Sequence, residues 1–227
     1  MKYRNFSRLG LVWLLTFFLV HYLNAQEKQK VYKLPEQEVK EGFILLFDGT
    51  TMDQWIDPQN QYYIREGSIC KKPNKNGNLY SKDEYTDFIL RFEFQLYPGT
   101  NNGLGIRHKF FEGIRGYNGM EFQILDNDSP IYQNLKPAQY HGSLYNQVAA
   151  KKISLKPPGE WNEQEVYVKG TIVKIKVNKE DIFEFDLKKL PEEILEKRKF
   201  LSYKKGHIAF LGHDTEILFR HIRVKTL

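Results

Sequence analysis

Glu121 and Gln123 lie two residues apart in the run Met120-Glu121-Phe122-Gln123-Ile124-Leu125, where apolar and polar side chains alternate. A period of two is that of a β-strand, so Met120, Phe122 and Ile124 face a core and the carboxylate and amide face the other way. A carboxylate beside an amide can exchange protons with a hydroxyl-rich ligand and hold it by hydrogen bonds. An ordinary retaining glycosidase would need two carboxyl groups about 5 Å apart. Position 123 has that reach from Glu121 but carries Gln, so the nucleophile of such an enzyme is missing. The plain reading of the same pattern is the solvated outer face of a sheet. Other polar-faced strands give the functional reading its weight.

Phe88 to Tyr97 is the clearest of these. Phe88, Leu90, Phe92, Phe94 and Leu96 form one face; Arg91 and Glu93 belong to the other. Asn101 to His108 reads as a strand loosened by Gly103 and Gly105, which would let another backbone or a ligand approach closely. Arg107 and His108 are consecutive, so a regular strand allows only one of them to share a surface with Glu121. Arg107 is taken as that residue. His213 lies near the last turn, and an imidazole serves as acid or base near neutral pH; a loop histidine without function is the alternative. His141 and Tyr145, in the run Tyr140-His141-Gly142-Ser143-Leu144-Tyr145, complete the candidates.

The remaining chain supplies about a dozen short strands. Glu66-Gly67 reads as a hairpin turn, and Ile172 to Val177 pairs naturally with Val166 to Gly170. Pro191 to Lys199 is the one helix expected, with Pro and two Glu at its start and basic residues at its end. There is no βαβ alternation and no repeat of fixed period. An all-β fold follows: a two-sheet antiparallel sandwich or jelly roll with one short helix. The two sheets pack apolar faces together and leave one face each for solvent or ligand. Trp55 reads as a core anchor, and Cys70 as a small buried hydrophobe.

The 227 residues suffice for one domain, and 14 Tyr and 16 Phe suit a turn-rich β-protein. Residues 1–25 read as a signal peptide, with Lys2, Arg4 and Arg8, an apolar run from Leu9 to Val20, and Leu23-Asn24-Ala25 as cleavage site. The apolar run is short against a membrane span of about 20 residues, though an uncleaved anchor stays open. Residues 26–40 read as a linker or N-terminal arm, and residues 41–227 as one domain. Without the signal, 34 basic against 28 acidic residues become 31 against 28. A net +3 with no basic run speaks against nucleic acid as a partner. One cysteine allows no disulfide within the chain.

Several stretches, in order, resemble the 3-keto-disaccharide hydrolase family. They are Gly42-Phe43-Ile44-Leu45-Leu46-Phe47-Asp48-Gly49-Thr50 with Trp55, Glu84 to Phe94, Asn101 to Arg107, Gly119 to Asp126, Gly142 to Tyr145, Pro158 to Asn162, and His213 to Val224. The chain departs from the family pattern in having His221 where Asn is usual and Asn102 where a small residue is usual. The resemblance implies a concanavalin A-like jelly roll, export, and a glycoside oxidised at carbon 3 as substrate.

A ketone at carbon 3 acidifies the hydrogen on carbon 2, so a base can remove it and the enolate can expel the group on carbon 1. Water then adds to the unsaturated sugar. Such a site needs a base, an acid and a donor or cation at the enolate oxygen. His213 and Glu121 are the expected catalytic pair. Arg107, Gln123, His141, Tyr145, Glu93 and Arg91 are the expected substrate-binding residues. Carboxylate, His and Gln could also hold a divalent metal ion, although no zinc-type spacing is present. A carbohydrate-binding module without catalysis is the rival reading of the same fold.

Overall fold

The computed structural model of the chain describes residues 31–110 and 118–227. The expected signal peptide, residues 26–30 of the arm, and Gly116 and Tyr117 lie outside these. Among the described residues, thirteen strands form two antiparallel sheets. The strands are β1 (Ile44–Phe47), β2 (Trp55–Ile56), β3 (Tyr62–Arg65), β4 (Ser68–Lys71), β5 (Gly77–Tyr85), β6 (Phe88–Leu96) and β7 (Asn101–His108). They continue with β8 (Met120–Leu125), β9 (Trp161–Lys169), β10 (Ile172–Val177), β11 (Glu180–Asp186), β12 (Gly206–Gly212) and β13 (Ile217–Thr226). The larger sheet runs β11-β10-β9-β6-β13-β4-β3, with β1 also on β13; the smaller runs β2-β5-β12-β7-β8.

Alternation sets the inward faces. In β6, Phe88, Leu90, Phe92, Phe94 and Leu96 are fully buried, and they meet Leu104, Ile106, Met120, Phe122, Ile124, Ile208 and Phe210 of the smaller sheet in one core. Trp55 donates its indole N–H to the Leu46 carbonyl at 2.8 Å and stacks on Phe210. Cys70 is buried, and burial pushes its thiol up to about 11. Glu66 and Gly67 both take positive φ between the paired ends Arg65 and Ser68, as a two-residue hairpin turn requires.

The helix expected after Pro191 is present as Glu192–Lys197. A second helix, Glu36–Glu41, precedes β1 and was not expected. Its signature is the same: Pro35 ahead of it, Glu36 and Glu38 in its first turn, Lys40 in its last, and Gly42 ending it at φ 89°. Glu38 is buried on the outer face of the larger sheet. It accepts from Arg91 Nη1 at 2.9 Å and from Arg223 Nε at 2.7 Å. Tyr32 stacks on His221, with ring centroids 3.8 Å apart. The described part of the arm is therefore tied to the sheet.

Removing the carboxylate would leave two guanidinium groups there without it. Glu38→Ala should cost about 3 kcal/mol, the range for breaking a buried ion pair from one side. Urea unfolding at neutral pH measures this; a loss below 0.5 kcal/mol, taken as roughly the scale of an exposed pair, would mean the arm is not held through Glu38.

Candidate active site

Strand β8 is buried at every position, including those on the outer face of the smaller sheet. Glu121 is 6% exposed and Gln123 4%. Glu121 pairs across β7 with Gly105 and Gln123 with Gly103. Along the other edge of β8, the Tyr145 N–H donates to the Glu121 carbonyl at 2.9 Å, and Leu144 bridges to Phe122. That alternation puts Tyr145 on the Glu121 side of the sheet. Gln123 donates its amide to Asn101 Oδ1 at 3.1 Å. Glu121, Gln123 and Tyr145 are thus brought together.

Gly103 and Gly105 supply the floor. A Cβ at Gly103 would overlap Oε1 of Glu121, and a Cβ at Gly105 would lie 2.7 Å from Cδ2 of His108. The two glycines point the same way on one strand, their Cα atoms about 7 Å apart. One receives a carboxyl group and the other an imidazole. Gly119 adds to the imidazole's notch, since a side chain there would overlap the His108 ring. Tyr80 and Phe110 stand beside it, with ring centroids 6.4 Å from Tyr80 to His108 and 5.2 Å from Tyr80 to Phe110. Gly103→Ala should push the carboxyl aside and lower kcat by about 100-fold, the cost of a misplacement near 1 Å, with the thermal transition kept. A kcat equal to the parent's would show that the close approach does not position Glu121.

Arg107 does not share this face. Its φ is +55°, and β7 places three steps, Gly105 to His108, against two on β12, Ala209 to His207. This extra residue is a bulge, and it exchanges the faces of the residues beyond it. Arg107 turns away, 2% exposed, and donates to the carbonyls of Thr86, Gly170 and Tyr203. His108 takes the place expected of Arg107.

Burial alone pushes the Glu121 carboxyl up to about 7, and no cation pairs with it among the described residues. Burial holds His108 down to about 4, against a smaller opposing pull from the Met120 backbone. Neither ring nitrogen of His108 makes a hydrogen bond of good geometry among the described residues. A buried, unsatisfied imidazole is rare enough to call for a ligand or a mechanistic use. His207 stands opposite His108 on β12; its Nδ1 donates to the Ser81 carbonyl at 2.7 Å.

The other expected site residues lie elsewhere. His213 is one residue beyond β12, at the Asn101 end of the face. Strand spacing and rise set it about 16 Å from Glu121 at Cα, on the same side of the sheet by the parity of β12. Burial lowers its pKa, Asp214 opposes this, and Lys71 adds to it. His141 is inside the sandwich, stacked on Phe94; Nδ1 accepts from Leu125 N–H at 3.3 Å, and Nε2 meets Gln164 Oε1 at 3.1 Å. That geometry makes it a neutral structural residue.

Arg91 and Glu93 are on the larger sheet, on the far side of the sandwich. Arg91 is bound to Glu38 and Glu165. Burial opposes ionisation of Glu93, but hydrogen bonds from His221 and Arg220 outweigh it and hold the carboxyl at about 2. His221 itself has φ +51°, a conformation that Asn and His tolerate better than most residues. The departure from the family's usual Asn is therefore a backbone matter, remote from Glu121. Among the described residues, no three His, Cys, Asp or Glu side chains converge as a metal cluster.

The chain is 28% identical to a 3-keto-disaccharide hydrolase of Bacteroides thetaiotaomicron, over 82% of this chain and 79% of that protein. A solved structure from Parabacteroides distasonis, assigned provisionally to the glycosyl hydrolases, superposes with TM-score 0.74 at 21% identity, over 87% of this chain and all of that one. A carbohydrate-binding module from Bacillus subtilis shares the fold at TM-score 0.53 and 8% identity, over 76% of this chain and 96% of the module. The model of the 3-keto-α-glucoside-1,2-lyase-like domain matches residues 42–225, so the chain belongs to that family of carbohydrate-active proteins.

Proposed function

We propose that the protein cleaves glycosides already oxidised to a ketone at carbon 3, by elimination across carbons 1 and 2 followed by hydration. The observation that carries this reading is the uncompensated Glu121 carboxyl, poised at about 7 beside the neutral His108 imidazole. As a carboxylate with a raised pKa, Glu121 is a better base at neutral pH than an ordinary side-chain carboxylate. It takes the proton from carbon 2, and the C–H electron pair becomes the enolate. A ring N–H of His108 donates to the oxygen on carbon 3; a neutral imidazole serves as such an electrophile when its pKa is depressed.

The enolate re-forms the ketone, the carbon 1 to carbon 2 double bond forms, and the bond from carbon 1 to the leaving oxygen breaks. Glu121 returns its proton to that oxygen. Water then adds across the double bond, oxygen to carbon 1 and hydrogen to carbon 2, with Glu121 relaying the proton. Gln123 and Tyr145 bind sugar hydroxyls in this reading, and His108, rather than His213, is the partner of Glu121. The basic and apolar pattern of residues 1–25 supports export to the periplasm or beyond.

The test is turnover of 3-keto-trehalose and a 3-keto-β-glucoside by residues 26–227 in deuterated water, with the unoxidised sugars as controls and a chelator arm for metal dependence. Elimination and hydration should place deuterium on carbon 2 of the released sugar. Cleavage without that label supports direct hydrolysis instead. Binding of an unoxidised glycan with no cleavage of any substrate supports the binding-module reading.

A further inference from the structure

At one end of the sandwich, a cleft of about 670 Å³ opens between the β9–β10 turn and the segments around the helix Glu192–Lys197. Arg107 lies in its floor, 2% exposed. Its guanidinium is oriented by the three carbonyls of Thr86, Gly170 and Tyr203, which carry no charge to compensate it. The only carboxylate among the lining residues is Asp87, whose Oδ1 is 3.5 Å from Nη2 and also accepts the Gly170 N–H at 2.8 Å. Lys169, Lys188 and Lys204 line the same cleft. Four cations thus face one anion. Leu187, Leu195, Leu201 and Ile172 make an apolar wall.

We propose that this cleft binds an anion with an apolar body, of the arylalkyl carboxylate class. The wall takes the apolar part by burial, and the excess positive charge takes the carboxylate. Guanidinium is suited to the floor because it stays charged when desolvated; its Nε and Nη2 hydrogens go to Thr86, Gly170 and Asp87, and what it offers a ligand is its charge and one Nη1 N–H. The volume falls within the range of small-molecule sites, which are mostly apolar with a few placed polar groups. The cleft is separate from the Glu121 face, since the bulge in β7 sends Arg107 and His108 to different places.

The probe is 4-phenylbutyrate, titrated calorimetrically into residues 26–227, with 4-phenylbutanamide as its uncharged counterpart. Arg107 ties three backbone segments together, so the variants are made on the rim instead. A Lys188→Glu/Lys204→Glu double variant should weaken the carboxylate by at least about tenfold, since two opposed charges replace two attractive ones. It should leave the thermal transition and the weak binding of the amide unchanged. A Glu121→Gln variant should bind the carboxylate as the parent does. No heat of binding up to millimolar carboxylate, equal affinity for carboxylate and amide, or unchanged affinity in the double variant would each overturn the proposal.

Discussion

Glu121→Gln should lower turnover of a 3-keto-glycoside by at least about 10³-fold, within the range expected when a positioned acid–base group is lost. The amide matches the carboxyl in shape, so it fits over Gly103 equally well and the fold is kept. The same substitution should raise stability in alkaline solution. In the unfolded chain Glu121 ionises with an ordinary pKa; in the folded protein burial pushes it up to about 7. A raised folded pKa means the folded state binds the proton more tightly. This group therefore destabilises the fold progressively as pH rises from about 4.5 to above 7, with a ceiling of about 3 kcal/mol. Gln carries no such burden. The variant should melt above the parent at pH 8, and the advantage should disappear at pH 4.5. Turnover at the parent's rate, or a stability difference that ignores pH, would remove Glu121 from its role.

Acidification should act through two histidines in the opposite sense. His108 and His141 are each held down to about 4 by burial. Their unfolded pKa is near 6.5. The unfolded state thus binds more protons below pH 6.5, and stability falls as pH drops toward the folded values. Between pH 6.5 and 4.5 each should cost about 2–3 kcal/mol. Over the same interval, protonation of Glu121 returns about 2 kcal/mol by the same linkage, so the net loss is near that of one histidine. Glu93, held at about 2, contributes below this window. His141→Gln should lower stability at pH 7, because it loses the Phe94 stacking, yet flatten the pH slope. Glu121→Gln should steepen it. Urea unfolding at pH 6.5, 5.5 and 4.5 reads both; parallel slopes in parent and variants would refute the assignment.

The fold was legible because the strands carry their own period. Met120 to Leu125 occurs with the bounds that alternation predicts, and β6 buries the five residues assigned to the core. The first helix was missed because six residues give too little apolar periodicity, although its proline, acidic and glycine signals match those of the helix that was found. Glu121 and Gln123 were legible as neighbours on a face, because only strand parity was needed. Arg91 and Glu93 satisfy the same parity but lie on the other sheet, and sheet membership depends on long-range pairing that no local pattern encodes. The place of His213 was not legible for a related reason: its distance from Glu121 depends on the registers of β8, β7 and β12 together. His108 lies one residue from the position that parity assigned to the face. Gly105 and Gly119 were visible in the chain, but the side chain filling their notch depends on a bulge between β7 and β12 that no local pattern encodes.

That bulge has an evolutionary reach. Deleting Arg107 would match two steps on β7 to two on β12 and leave the histidine over the glycine floor, because His108 already pairs with His207 across the extra residue. What would go is the guanidinium on the other side, with its ties to Thr86, Gly170 and Tyr203. One codon therefore separates the two sites: the cleft can be lost while the Glu121 face is kept. Chain-length polymorphism at this position among relatives is where the independent loss of the cleft should be sought.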